Sequence, residues 1–315
     1  MIQSTPPLPC LDTRRRADDM ERPRRVQLIV NAVSATRCAD AVLALGGSPC
    51  MGATTAEEAE ETSGRCDATL LNFGTPTSEA IAKSVLDARV VVVDPVGVGL
   101  RTRGEVIRRW LDARAQRVRD AASTRGVSDM ITVIKGNRSE IEALLRMYEI
   151  EGTLGANVSV TPDSEAAADE DENGVLAALR SLVKRVEGER DDELETLVVL
   201  CTGPVDYVVS RCNSFARRES HVESFSHVSG AGCVLGAVVA WALATHRCAS
   251  DRPSTVNVCG NAASVYRRIG FDAENDLESH APASFFVRFM DALFQHKRSF
   301  PDMFERWYAD DDEML

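Results

Sequence analysis

Short apolar runs alternate with amphipathic segments along most of the chain. The apolar runs are rich in β-branched residues and read VQLIV (26–30), ATLLNFG (68–74), VVVVDP (90–95), ITVIKG (131–136) and TLVVLCTG (196–203). The segments between them carry apolar residues at helical spacing, as in SATRCADAVLALGG (34–47), GEVIRRWLDARAQRV (104–118) and RSEIEALLRMY (138–148). Near-continuous apolar strands alternating with helices are typical of a parallel sheet buried on both faces. The pattern therefore predicts an α/β fold with a central, mostly parallel sheet and helices on both faces.

Local signals refine this outline. Thr54 precedes Glu57 at the spacing of a capping box, so we expect a helix to begin there. The run DYVVS (206–210) is expected to add a hairpin to the sheet, whereas residues 115–129 contain no convincing strand. Further along, SGAGC (229–233) leads into the apolar run LGAVVAWALAT (235–245), which predicts a buried helix.

One domain accounts for most of the sequence. We expect a single domain over residues 26–299, preceded by a disordered extension (1–25) and followed by an acidic tail (300–315). The tract TPDSEAAADEDENG (161–174) is highly acidic and has almost nothing to bury. It is interpreted as a disordered surface insertion, either a solvated loop or a binding tail.

The composition argues against several classes of binding partner and cellular location. The 315 residues are 44% hydrophobic with a formal net charge of −12, which argues against a protein that binds duplex nucleic acid. The nine cysteines form no C-x-x-C pair, so we expect a reducing, cytoplasmic location rather than a disulfide framework. No apolar run approaches the ~20 residues of a membrane span. The arginines at 14–16 hint at a targeting segment, but nearby acidic residues weaken that interpretation.

Candidate chemistry lies where strands end, because ligands of open α/β sheets bind at the carboxyl ends of the strands. These ends are polar or rich in glycine. They read Asn31, NFGT (72–75), DPVGVG (94–99), KGNRSE (135–140), CTG (201–203) and SGAGC (229–233).

Two acidic residues are candidate magnesium ligands. Asp94 ends a run of four valines, and Glu140 follows Asn137 in the first turn of the next predicted helix. Magnesium is commonly held by one or two carboxylates together with phosphate oxygens. A structural explanation stays open for each: Asp94 as a turn residue before proline, and Glu140 as an acid favoured by the helix dipole.

The segment SGAGC combines a candidate anion site with a thiol. Backbone N–H groups at a helix start bind phosphate or a developing oxyanion. A helix N-terminus is also expected to lower the pKa of Cys233, which would make the thiol an acceptor for a proton from a substrate alcohol. The alternative is that Cys233 is a small buried hydrophobic residue.

Taken together and in this order, the motifs resemble the hydroxyethylthiazole kinase family, the thiamin-salvage branch of the ribokinase-like fold. The resemblance spans roughly residues 26–297. It rests on ADAVLALGGSPCM (39–51), NFGT, DPVGVG, KGNRSEI, TG before VDYV, and SGAGC.

The resemblance implies transfer of phosphate from ATP to the alcohol of 4-methyl-5-(2-hydroxyethyl)thiazole, with Mg²⁺ bridging the phosphates. It also implies a homotrimer with active sites between subunits. The implied residues fall into four groups. They are Asn31, Met51 and Gly230 for the thiazole, Gly230, Gly232 and Cys233 for catalysis, Lys135, Asn137, Thr202 and Gly203 for ATP, and Asp94 and Glu140 for the metal.

The sequence also departs from the family pattern. Lys135 stands where the family usually has arginine, and Pro204 where it commonly has glutamate. APASF (281–285) replaces GPGSF, the loop after DPVGVG is shortened, Asp40 replaces asparagine and Ser229 replaces threonine. Two alternatives to thiazole phosphorylation therefore stay open. The protein is then either a catalytically silent binding or scaffold subunit, or a kinase for another small alcohol.

A cysteine hydrolase is a less suitable interpretation of Cys233. Such an enzyme needs a histidine within hydrogen-bond reach of the thiol. The nearest in sequence, His221 and His227, are expected on the surface of a strand that leads into SGAGC.

Overall fold

The computed structural model describes residues 22–52, 54–74, 78–125, 130–152, 154, 172–188, 194–217, 221–246, 254–276 and 281–296. Most of the predicted N-terminal extension and the whole acidic tail lie outside the described residues. So do Thr75 and residues 161–171 of the acidic tract, whereas residues 172–174 are the first turn of a helix.

The described strands form one eight-stranded sheet in the order β2-β1-β3-β4-β5-β6-β7-β8. Their bounds are β1 Arg25–Ile29, β2 Ser48–Met51, β3 Ala68–Asn72, β4 Val90–Asp94, β5 Ile131–Asn137, β6 Leu197–Thr202, β7 Asp206–Val209 and β8 Ser214–Arg217. Strands β1 to β6 pair in parallel, and β7 and β8 add an antiparallel hairpin. The predicted α/β class and the hairpin are confirmed. The edge strand β2 was not predicted, because its four residues include Pro49 and carry no β-branched run.

Helices cover both faces of the sheet. Their bounds are α1 Ala35–Ala44, α2 Ala56–Ser63, α3 Glu79–Ser84, α4 Arg101–Arg125, α5 Arg138–Met147, α6 Glu172–Glu187, α7 Ala231–His246, α8 Thr255–Asn275 and α9 Pro282–His296. Helices α1, α7, α8 and α9 lie on one face and α2 to α6 on the other, each group with its own apolar core. In the described part of the chain, none of the helices is long and apolar enough to cross a bilayer.

The valines of β4 show why the strands read as continuous apolar runs. Val90 and Val92 pack into the core under α7, whereas Val91 and Val93 pack into the opposite core. Alternate residues of a strand point to opposite faces, so a strand covered on both faces needs apolar residues at every position. The polar residue that ends such a strand, here Asp94, then lies at the carboxyl-terminal end of the central strands.

Helix α7 lies at the centre of its layer. Its residues are buried almost throughout, as the apolar run predicted. A Cβ atom at Gly236 would lie 2.9 Å from Leu70 Cδ1, so this glycine lets the helix approach β3 closely. The first turn of α7 is thereby brought to the carboxyl ends of the central strands.

Two local predictions were wrong in detail. The N-cap of α2 is Thr55 rather than Thr54, because Thr55 Oγ1 accepts from the Glu58 N–H. Thr54 instead donates its hydroxyl and its N–H to the Glu58 carboxylate, at 2.8 and 2.7 Å. The segment before SGAGC is a 3₁₀-helix, Glu223–His227, and not a strand. His227 is therefore on an exposed helical turn, where its imidazole lies 3.7 Å from the Glu223 carboxylate.

Candidate active site

Three neighbouring strands each deliver one polar side chain to the same place. Asn72 of β3 and Asp94 of β4 are register partners, and the pairing of Val93 with Ile134 sets Asp94 beside Lys135 of β5. All three side chains are almost completely buried. They point toward α7, because the residues two positions earlier on each strand belong to the core under that helix.

Asn72 links this group to the thiol at the start of α7. Its Nδ2 donates to Asp94 Oδ2 at 2.7 Å and to Cys233 Sγ at 3.2 Å. Its Oδ1 accepts from Asn31 Nδ2 at 3.1 Å and from the Gly74 N–H at 2.8 Å. Sequence reasoning noted the segment NFGT but assigned no role to Asn72. The available signal was its position as the last residue of a strand next to the one that ends in Asp94.

Asn31 fixes the chain between β1 and α1. Its Oδ1 accepts from the N–H groups of Val33 and Ser34, at 3.0 and 3.1 Å, while its Nδ2 faces Asn72. Met51 is on the other side of β1, where it pairs with Leu28 and remains half exposed. The structure therefore joins Asn31 to the Asn72 group and leaves Met51 at the rim.

Of the two glycines of SGAGC, Gly230 has a backbone conformation that favours glycine. Gly230 has φ +83°, and a Cβ atom there would lie 3.0 Å from Ser34 Cβ. Gly232 is exposed in the first turn of α7, where its carbonyl accepts from Lys135 Nζ at 2.9 Å. Arg37 of α1 donates to the Ser229 carbonyl, and its guanidinium lies 4.4 Å from the ring centroid of Phe286. Lys135 and Arg37 thus each bind a backbone carbonyl of the turn that starts α7.

Cys233 has a raised pKa, contrary to expectation. The largest cause is burial, and the nearby Asp94 carboxylate raises the pKa of the thiol further. Lys135 and a hydrogen bond with Ser34 act in the opposite direction but are outweighed. The helix N-terminus alone would favour the thiolate, but the thiol is only 8% exposed, and burial disfavours the charged form.

Lys135 is an interior residue of this group. Its Nζ lies 3.4 Å from Asp94 Oδ1, and both side chains are nearly inaccessible to solvent. Burial by itself would lower the pKa of the ammonium, but the charges of Asp94, Glu140 and Cys233 raise it overall. The ammonium is therefore beneath Gly232 rather than on the more exposed strip formed by Asn137, Thr202 and Gly203.

Asn137 and Glu140 form a capping box at the start of α5. Asn137 Oδ1 accepts from the Glu140 N–H at 3.0 Å, and Glu140 Oε2 accepts from the Asn137 N–H at 2.9 Å. The pKa of Glu140 is raised, mainly by burial and then by Asp94. The structural explanation left open for Glu140 thus applies, and the acid also lies within the electrostatic reach of Asp94.

Two departures from the family pattern are on the surface. Ala281 and Ala283 are exposed at the start of α9. Pro204 is half exposed in the turn between β6 and β7. Thr202, just before that turn, is the register partner of Asn137.

Comparison with known proteins agrees with this geometry. A family model described as the hydroxyethylthiazole kinase family matches residues 20–298. The hydroxyethylthiazole kinase of Corynebacterium efficiens is 31% identical over 283 residues, which cover 87% of this chain and 88% of that protein. The hydroxyethylthiazole kinase of Pyrococcus abyssi is 32% identical, over 86% of this chain and 87% of that protein.

A solved structure supports the same assignment. The hydroxyethylthiazole kinase protein of Pyrococcus horikoshii superimposes with a TM-score of 0.64 at 25% identity, over 89% of this chain and 91% of that one. The resemblance inferred from the motifs is thereby confirmed. The chain belongs to the hydroxyethylthiazole kinase family.

Proposed function

We propose that this protein transfers the γ-phosphate of ATP to the hydroxyl of 4-methyl-5-(2-hydroxyethyl)thiazole, a step of thiamin salvage. Family membership supports the kinase activity. The observation that carries the proposal is the buried contact of Asn72 with both Asp94 and Cys233, directly under the glycine turn of α7. A carboxylate, a thiol and a helix N-terminus then meet at one point, where they can position a phosphoryl group and the alcohol that attacks it.

The glycine turn is the proposed phosphate site. Gly230 and Gly232 leave the start of α7 free of side chains, so that backbone N–H groups can approach a phosphoryl group. Lys135 adds a fixed positive charge directly beneath Gly232. Much of the rate enhancement of phosphoryl transfer comes from such positioning and charge neutralisation.

Cys233 is the proposed acceptor of the alcohol proton. Its raised pKa means that the thiolate is a minor form at neutral pH, and only the thiolate can accept the proton. The neutral thiol still orients the alcohol. Because the transition state of phosphoryl transfer is loose, a scarce base limits the rate less than misplaced phosphates would.

Asp94 and Glu140 are the proposed magnesium ligands. The donor set fits in one respect, since the buried Asp94 Oδ1 accepts no hydrogen bond within the described residues and has only the Lys135 ammonium, at 3.4 Å, as an ionic neighbour. Among those residues no group of three or more acidic, cysteine or histidine side chains could hold a metal. In the proposal, phosphate oxygens add to the coordination, as is usual for magnesium. When bound, magnesium would neutralise phosphate charge, and the carboxylates would hold it at the end of β4.

The substrates are proposed to occupy the two sides of this centre. ATP would lie along Asn137, Thr202 and Gly203, at the ends of β5 and β6, where all three are at least partly exposed. Lys135 would face the phosphates of ATP from the interior side of the Gly232 turn. The thiazole would lie on the other side, near Asn31, Gly230 and the exposed Met51.

A homotrimer with sites between subunits is part of the proposal. Large apolar side chains are exposed near the thiazole side, on the segment from β1 to β2: Val33, Leu43 and Met51. A neighbouring subunit would cover them and complete the site. Sedimentation analysis of the purified protein tests this, and a monomer would contradict it.

A cytoplasmic location is retained as a proposal. The cysteines in the described part of the chain are free thiols, as expected for a reducing compartment.

Calorimetric titration of magnesium ATP, with and without the thiazole alcohol, followed by a phosphate-transfer assay on the same sample, tests the function. The proposal requires binding and transfer that are both lost in the Cys233→Ala, Gly232→Val double variant. A folded protein that binds no ATP would be the silent homologue. Transfer to another small alcohol with the thiazole inert would identify a related kinase.

A further inference from the structure

The turn after β6 is held by an ion pair that neither the sequence nor the family comparison singled out. Gly203 begins this turn. Its N–H donates to Asp206 Oδ1 at 3.0 Å, and its carbonyl accepts from Arg267 Nη2 at 2.6 Å. Both backbone polar groups of Gly203, its N–H and its carbonyl, are therefore bound by the two members of a single pair.

The pair itself is tight and mostly buried. Arg267 Nε donates to Asp206 Oδ2 at 2.6 Å, and Nη2 donates to Oδ1 at 2.7 Å. Asp206 is 3% exposed, and burial raises its pKa while Arg267 lowers it. Planar, bidentate pairing of this kind fixes both position and orientation.

The two residues come from different layers of the fold. Asp206 starts β7, whereas Arg267 lies in α8 on the face that also contains α7. On its other side the turn faces α5, since a Cβ atom at Gly203 would lie 2.6 Å from Arg138 Nε. The turn is thus confined between α5 and α8, and only a glycine fits there.

The position of this turn gives the pair its significance. Thr202 is the register partner of Asn137, so the turn and the start of α5 form one continuous rim. In the proposed function this rim receives ATP, while the phosphate-transfer centre at Cys233 is on α7. In the described part of the chain, the hydrogen bonds of the Arg267 guanidinium go to Asp206 and to the rim at Gly203.

We infer that Asp206 and Arg267 are positioning residues that hold the Thr202–Gly203 turn in the conformation that binds ATP. This inference rests on the proposed function. It predicts weaker binding of ATP, without an equal effect on the chemical step or on the binding of the thiazole.

The experiment compares two variants of the pair with a matched control. The Asp206→Asn, Arg267→Met double variant removes both charges of the pair together. Arg267→Lys keeps the charge but loses the planar fork. The control is Arg268→Met, because Arg268 is adjacent on α8, is exposed and pairs with the exposed Asp272 at 3.2 Å.

The expected result is a change in one kinetic constant. The double variant should raise the KM for magnesium ATP about tenfold, with kcat and the KM for the thiazole within about twofold of wild type. Arg267→Lys should raise the KM for ATP by about threefold, since at least one of the three hydrogen bonds that Arg267 donates to Asp206 and Gly203 is lost. Arg268→Met should leave all three constants unchanged.

Several outcomes would overturn the inference. An unchanged KM for ATP in folded variants means that the turn needs no such support. Failure of the double variant to fold, together with an unchanged KM in Arg267→Lys, means that the pair serves folding alone. A fall in kcat with the KM for ATP unchanged would place the effect of the pair on the chemical step and not on ATP binding. A wild-type protein without kinase activity would instead refute the proposed function, which the same assay shows separately.

Discussion

Asn72 Nδ2 lies 3.2 Å from Cys233 Sγ, although the two residues are 161 positions apart in the chain. The contact joins the end of β3 to the first turn of α7. The same amide nitrogen also donates to Asp94, so one side chain sets the relative positions of the thiol and the carboxylate. The geometry of the proposed centre therefore depends on a residue that is neither an acid nor a base.

Replacing Asn72 tests this dependence. In Asn72→Ala the Asp94 and Cys233 side chains lose a shared donor, which we expect to cost about 1–3 kcal/mol of folding free energy and to lower kcat by about 10–100-fold. Chemical denaturation and steady-state kinetics measure the two effects. Asn213→Ala is the matched control, because Asn213 also donates to a carboxylate, Glu195, at 2.6 Å, but is exposed. Full activity in Asn72→Ala would show that the centre positions itself without this amide.

The pH dependence of the rate should reveal the state of Cys233. The raised pKa leaves most of the thiol protonated at neutral pH, so the active thiolate becomes more abundant as pH rises. We expect kcat to increase with pH above neutrality in the wild-type protein. Cys233→Ala should lower kcat by about 10–100-fold and abolish that increase. A parallel rise with pH in both proteins would assign the titration to another group.

Much of the fold was predictable because its strands are buried on both faces. Their valine-rich runs stand out from the amphipathic helices, and parallel pairing brings the ends of successive strands to one edge. From the sequence, Asp94 is therefore a candidate at a strand end and Cys233 a candidate at a helix start, whereas the family resemblance supplies Lys135. The four-residue β2 could not be predicted, since the pairing with β1 and not the intrinsic propensity of its residues makes it a strand.

The electrostatics of the site were less predictable than its composition. The sequence shows that Cys233 begins a helix, but not that the sheet and α1 bury it, and burial decides the direction of its pKa shift. In the same way, a lysine at a strand end is equally compatible with an exposed and an interior side chain. Only the register with Asp94 places Lys135 inside.

Removing Lys135 should affect stability as well as activity. Lys135→Met leaves the Asp94 carboxylate buried without its cation, and loss of one partner of a buried pair costs about 3–5 kcal/mol. The Asp94→Asn, Lys135→Met double variant should recover most of this stability but remain inactive, because both charges of the centre are gone. Denaturant titration and the transfer assay measure these effects. Lys83→Met, which breaks the exposed pair with Glu79, should change neither. A stable, active Lys135→Met variant would contradict the role assigned to this charge.

Gly230 and Gly46 allow backbone strain to be separated from the proposed phosphate site. Both have positive φ, at +83° and +82°, so an alanine at either position should cost about 1 kcal/mol of folding free energy. A Cβ atom at Gly46 would have no atom within 4 Å, whereas one at Gly230 would lie 3.0 Å from Ser34 Cβ and border the start of α7. We therefore expect similar losses of stability in Gly46→Ala and Gly230→Ala, measured by thermal unfolding. Only Gly230→Ala should lose activity, by about tenfold or more, because the displaced turn no longer aims its N–H groups at the phosphoryl group. Equal activity in the two variants would remove Gly230 from the site and leave its conformation as a requirement of the turn alone.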